Sequence, residues 1–137
     1  MPERTTLDHV TIVADDFEAS RPVYDAVLGA LGLVATVDHI DPEEEDEDPD
    51  TVAAVGYAGE GGRPVLVLAA GSAATTGAHV ALAVRSADLV DAAHTAAVAS
   101  GLTVVQAPRA WEAGHLGYYG LQVLDPAGNM IEVLHRA

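Results

Sequence analysis

The chain repeats itself. His9-Val10-Thr11-Ile12-Val13 can be laid over His79-Val80-Ala81-Leu82-Ala83 at an offset of 70 residues. Each segment alternates like a half-buried strand, and each opens the same order of elements. A helical stretch follows the first, Ser20 to Leu31, with Tyr24, Val27, Leu28 and Leu31 forming an apolar stripe. A second follows the other, Asp88 to Ser100, with Leu89, Ala92, Ala93, Ala96 and Ala97 at helical spacing. Asp15, Asp16 or Ser20 can cap the first helix, Pro22 sits early in it, and Gly32 follows its end; Ser86 and Gly101 bracket the second. Three strand-like segments come after each helix. They are Leu33–Asp38, Thr51–Tyr57 and Pro64–Ala69 in the first half, and Leu102–Ala107, Tyr118–Leu124 and Asn129–His135 in the second.

Each half therefore reads strand, helix, strand, strand, strand. The expected fold is α+β: two βαβββ modules whose curved mixed sheets surround a shared cleft, with the helices outside. Module one runs from about 5 to 70 and module two from about 77 to 137, in one domain. The stretch Gly71–Gly77 links them. Asp125-Pro126-Ala127-Gly128-Asn129 is the clearest local signal: proline fixes φ, glycine is free to take φ > 0, and a tight turn joins the last two strands.

Charge narrows the partners. The formal net charge is −15, and eight of the 21 acidic residues fall between Asp41 and Asp50. With two prolines, that run reads as a solvated loop. The acidic balance argues against nucleic acid, whose phosphates need clustered bases. No apolar run approaches a membrane span, the N-terminus carries no apolar signal segment, and there is no cysteine for disulfides or zinc-thiolate sites. The expectation is a cytoplasmic protein with a small-molecule substrate.

Strand alternation selects the candidate site. If Val10, Ile12 and Ala14 pack on a helix, His9, Thr11 and Val13 face the other way. If Val80, Leu82 and Val84 pack on a helix, His79, Ala81 and Ala83 face the other way. In the last strand Ile131 and Val133 pack outward against the helix, leaving Met130, Glu132 and Leu134 on the other face. All three parities allow His9, His79 and Glu132 to share one cleft. Glu132 interrupts an apolar run, where a carboxylate must be paired, exposed or bound to metal. Two histidines and one carboxylate make a facial triad with open positions, suited to Fe2+, Mn2+, Ni2+, Co2+ or Zn2+.

Other residues join this set. His115 lies in a glycine-rich loop and can serve as general acid or base. Tyr118, sharing parity with Gly120 and Gln122, can hydrogen-bond an oxygen in the cleft. Trp111, placed in the loop before Tyr118, can wall the pocket, with Gln122 beside the substrate, and Arg109 can receive a substrate carboxylate. His39, His94 and His135 are given no role.

At these residues the chain resembles the vicinal-oxygen-chelate superfamily, which includes glyoxalase I, extradiol dioxygenases, fosfomycin-resistance enzymes and bleomycin-binding proteins. The likeness rests on LDHVTIVADDFEASRPVYDAVLGALGL, GAHVALAV and GYYGLQVLDPAGNMIEVLHR. The resemblance implies paired βαβββ modules and metal ligands on the first and last strand of each. Those places hold His9 and a residue near Leu66 in the first half, and His79 and Glu132 in the second; Leu66 cannot bind metal, which departs from four-ligand glyoxalase I. Six Lys plus Arg make the fosfomycin-type branch a poor fit. The resemblance implies a metal-dependent lyase, isomerase or dioxygenase acting on a small oxygenated substrate, and a homodimer. The alternative it implies is a metal-free small-molecule binding protein of the bleomycin-resistance type.

Overall fold

The structure, a computed structural model, describes residues 5–39, 52–111 and 117–136. The acidic run Asp41–Asp50 and His115 lie outside the described residues. The elements are β1 (Val10–Ala14), α1 (Phe17–Ala30), β2 (Val34–His39), β3 (Val52–Ala58), β4 (Pro64–Ala70), β5 (His79–Ala83), α2 (Ala87–Ala99), β6 (Thr103–Trp111), β7 (Tyr118–Leu124) and β8 (Met130–Arg136). They form two four-stranded sheets, ordered β1-β4-β3-β2 and β5-β8-β7-β6. In each, the first strand runs parallel to the last of its module, and the other pairs are antiparallel. This is the expected duplicated βαβββ architecture.

Helix ends follow local chemistry. Asp16 caps α1, its side chain accepting from the Ala19 N–H at 3.2 Å, so the helix starts at Phe17, earlier than the apolar stripe indicates. Pro22 consequently stands inside the helix rather than in its first turn. Gly32 (φ 84°) and Gly101 (φ 68°) end the two helices in the left-handed conformation that side chains resist.

One apolar core draws on both modules. Ile12, Tyr24, Leu28, Val55, Tyr57, Leu66 and Leu68 contribute from the first; Val90, Ala93, Leu121, Val123, Ile131 and Val133 from the second. The helices pack against each other as well as on their own sheets. Each helix is also pinned to its sheet by a tyrosine: Tyr57 donates to Asp25 (2.7 Å) and Tyr119 to Asp91 (2.6 Å).

The modules are further joined by a buried polar hub at the turn after β7. The Asp125 carboxylate accepts from the Tyr24 hydroxyl of α1 (2.7 Å), from the backbone N–H groups of Ala127 (3.0 Å) and Asn129 (2.8 Å), and from the Asn129 side chain (2.8 Å). The Asn129 amide also donates to the Thr75 carbonyl and accepts from the Ala78 N–H. Thr75 in turn closes the outer edge of β1, exchanging hydrogen bonds with Val13 through its backbone N–H and its hydroxyl. Among the described residues no helix is long and apolar enough to cross a membrane.

Candidate functional site

Alternation and register place one set of side chains on the helix-free face of the second sheet. On β5, His79, Ala81 and Ala83 are exposed while Val80 and Leu82 turn toward the core. On β8, Ile131 and Val133 enter the core, which sends Met130, Glu132, Leu134 and Arg136 to the opposite face. Cross-strand pairing then aligns rows: Ala81, Glu132, Gln122 and Gln106 in one, Ala83, Leu134, Gly120 and Arg109 in the next, Arg136, Tyr118 and Trp111 in the last.

His79 and Glu132 touch. His79 Nε2 lies 2.8 Å from Glu132 Oε1, with His79 half-exposed and Glu132 only 3% exposed. Glu132 Oε2 is buried and has no hydrogen-bond partner. A carboxylate oxygen left in that state costs about 1–3 kcal/mol or more. A cation or a ligand donor would remove that cost, and one imidazole with one carboxylate is a donor set that suits a divalent first-row metal.

Tyr118 stands above this pair. Partial burial, then the charge of Glu132 and the closeness of the phenol to its carboxylate, hold Tyr118 above the ordinary value, although Oε2 itself has no partner at hydrogen-bond geometry. Its ring folds over Gly120, where an added Cβ would lie 3.1 Å from the ring and 3.3 Å from the Val133 carbonyl. The Trp111 ring stacks on Tyr118 at 6.0 Å, the Arg109 guanidinium covers Trp111 at 4.2 Å, and Arg136 lies over Tyr118 at 5.4 Å. Trp111 Nε1 is a second buried polar atom without a partner.

The sequence reading places Trp111 in a loop; it is instead the last residue of β6. The expected strand stops at Ala107, but register shifts between Val104 and Arg109 accommodate Pro108 and the strand continues. The counterpart of Glu132 in the first module is also displaced from the expected place. Leu66 is buried in the core, and the pairing Thr11↔Val67 matches Ala81↔Glu132, so Val67 is the equivalent and cannot ligate either.

His9 belongs to the other sheet, one residue before β1. Its Nδ1 meets Asp8 Oδ1 at 2.7 Å, and this bond holds the Asp8 carboxyl below its usual range. Both side chains are solvent-exposed. A carboxylate on Nδ1 fixes the ring and leaves Nε2 for another partner. Among the described residues no three potential ligands gather in one chain. The structure thus brings together His79, Glu132, Tyr118, Gln122, Trp111 and Arg109 on one face and leaves His9 apart. Sequence reasoning missed Arg136, which continuing the alternation two residues past Leu134 finds; parity put Gly120 on this face, but nothing in the sequence marks its contact with the Tyr118 ring.

The profile of the Glyoxalase/Bleomycin resistance protein/Dioxygenase superfamily matches residues 6–133. No curated protein matches the chain. Among solved structures, a glyoxalase/bleomycin resistance protein from Albidiferax ferrireducens is similar at 26% identity and TM-score 0.70, over 95% of this chain and 98% of that one. A lactoylglutathione lyase from Agrobacterium tumefaciens is similar at 21% identity and TM-score 0.63, over 98% and 96%. A glyoxalase/bleomycin resistance protein/dioxygenase family enzyme from Burkholderia phytofirmans is similar at 19% identity and TM-score 0.61, over 96% and 98%. The duplicated βαβββ sheets and a profile match across nearly the whole sequence agree: the chain belongs to the glyoxalase/bleomycin resistance protein/dioxygenase superfamily.

Proposed function

We propose that the protein is a metal-dependent enzyme, a lyase, isomerase or dioxygenase, acting on a small substrate that presents adjacent oxygens to a divalent ion. The observation that carries this reading is the orphaned Oε2 of Glu132, buried beside the imidazole of His79. His79 and Glu132 would hold the ion. His9, already oriented by Asp8, would complete the set from a second copy of the chain in a homodimer. Bound there, Fe2+, Mn2+, Ni2+, Co2+ or Zn2+ would stabilise developing negative charge on a substrate oxygen and acidify a coordinated hydroxyl.

The chain's own residues do the rest. Tyr118, kept protonated through neutral pH, donates a hydrogen bond to a substrate oxygen above Glu132. Gln122, directly across from Glu132, offers a donor and an acceptor to the substrate's polar edge. Trp111, stacked on Tyr118 and covered by Arg109, walls the far side of the face. His115 is proposed as the general acid or base.

The test is metal analysis of protein purified without chelator. The expected result is stoichiometric metal that is lost in Glu132→Ala and in His9→Ala. A second reading, a metal-free small-molecule binder, is favoured by the ladder of Arg109, Trp111, Tyr118 and Arg136, which offers a stacking surface with no ion. Absence of metal together with saturable binding of a small ligand would select it.

A further inference from the structure

The chain's bases are six arginines and no lysine, set against 21 acids. In such an excess of acid a guanidinium is expected to find a carboxylate, as Arg21 finds Asp25. Arg109, Arg136 and Arg85 stand at one end of the second sheet. β5, β6 and β8 all run the same way, since β6 and β8 are both antiparallel to β7 and β5 is parallel to β8. Arg109 lies near the C-terminal end of β6, Arg136 ends β8, and Arg85 follows β5 by two residues. Among the described residues neither Arg109 nor Arg85 has a carboxylate partner. The Arg109 guanidinium carbon stands 4.2 Å from the centre of the Trp111 ring, a cation–π contact that leaves its N–H groups for a ligand. Beside it, Trp111 Nε1 is a buried donor without an acceptor. One end of this face is therefore rich in donors and positive charge, in a molecule that is otherwise negative.

The other end holds Glu132 and His79. Arg109 is two strands and two residues from Glu132 in the pairing register. At roughly 4.8 Å per strand and 3.3 Å per residue, their backbone positions are about 12 Å apart. Between them the Tyr118 ring folds over Gly120, so the surface that separates the two ends is aromatic.

We propose that the ligand of this face is an elongated carboxylate: its oxygenated head reaches His79 and Glu132, its apolar body lies along the Tyr118 ring, and its carboxylate is seated by Arg109. The assignment of the head rests on the metal-site reading above; the assignment of the carboxylate does not. A three-carbon α-ketoaldehyde is too short to touch both ends.

Trp111 is the only tryptophan, so its emission reports this site alone. The experiment titrates chelator-treated protein with 4-phenylbutyrate and, separately, with its primary amide, following tryptophan fluorescence. The carboxylate is expected to give a saturable change and the amide to bind about ten-fold more weakly, the loss of a charge-assisted pair. Arg109→Gln should weaken the carboxylate by about the same factor and leave the amide unchanged. Arg63→Gln, at an arginine outside this face, should change neither. Equal binding of acid and amide, an unaffected Arg109→Gln, or no saturable response to either probe overturns the proposal. Metal analysis of the same sample separates the two readings. Carboxylate preference in a protein that takes up no metal sinks the metal site alone, and metal uptake without that preference sinks this inference alone.

Discussion

A buried carboxylate without a full set of partners is a burden on the fold, and Glu132 is one. It is buried with one oxygen paired to His79 and the other unsatisfied. In metal-free protein, Glu132→Gln is expected to raise stability by about 1 kcal/mol, because an amide is cheaper to bury than a charge. Urea denaturation reads this, and a loss of stability would mark Glu132 as structural. Asp125 is the opposite case, a buried carboxylate with four donors. Asp125→Ala should cost about 3–5 kcal/mol, since it strands Tyr24 and Asn129 together. Tyr24→Phe removes one bond of the four and should cost only about 1–2 kcal/mol by the same assay.

At the scale of elements, alternation within a strand was the reliable guide, and events between strands were not. His79 and Glu132 could be assigned to one face because each sits in a strand whose neighbours are plainly apolar. The fold followed from the same regularity, doubled. The reach of β6 to Trp111 was hidden, because the register shifts that accommodate Pro108 leave no trace in composition. The partnership of Tyr24 with Asp125 was equally hidden, since the two are 101 residues apart and each has an ordinary local explanation. The position of His9 relative to His79 depends on how the two sheets are set, which a repeat does not encode. Gly120 belongs to this scale too. Gly120→Ala should push the Tyr118 ring off the strand and break its stack with Trp111, seen as loss of near-ultraviolet dichroism with about 1 kcal/mol of destabilisation.

For the whole molecule, the four tyrosines give a common signature. All four phenols are held above their usual ionisation range. Burial is the leading cause for Tyr24, Tyr57 and Tyr118, and the Asp91 hydrogen bond for Tyr119. Each keeps its proton in the folded state at a pH where the unfolded chain has begun to lose it. Their contribution to stability is therefore full below about pH 10 and is lost as pH rises toward the folded values. Absorbance at 295 nm should show the two buried phenols, Tyr24 and Tyr57, ionising only together with unfolding. Loss of more than two phenolic protons before unfolding would contradict this.

Thr75 gives the seam between the modules a history of its own. It plugs the outer edge of β1 at Val13, and its carbonyl holds the Asn129 amide that fixes the closing turn. What joins the two copies has become a wedge shared by both. A circular permutant opened between Gly71 and Gly77 would unseat that wedge, so the link between the modules, a loop by its composition, does not behave as a dispensable one.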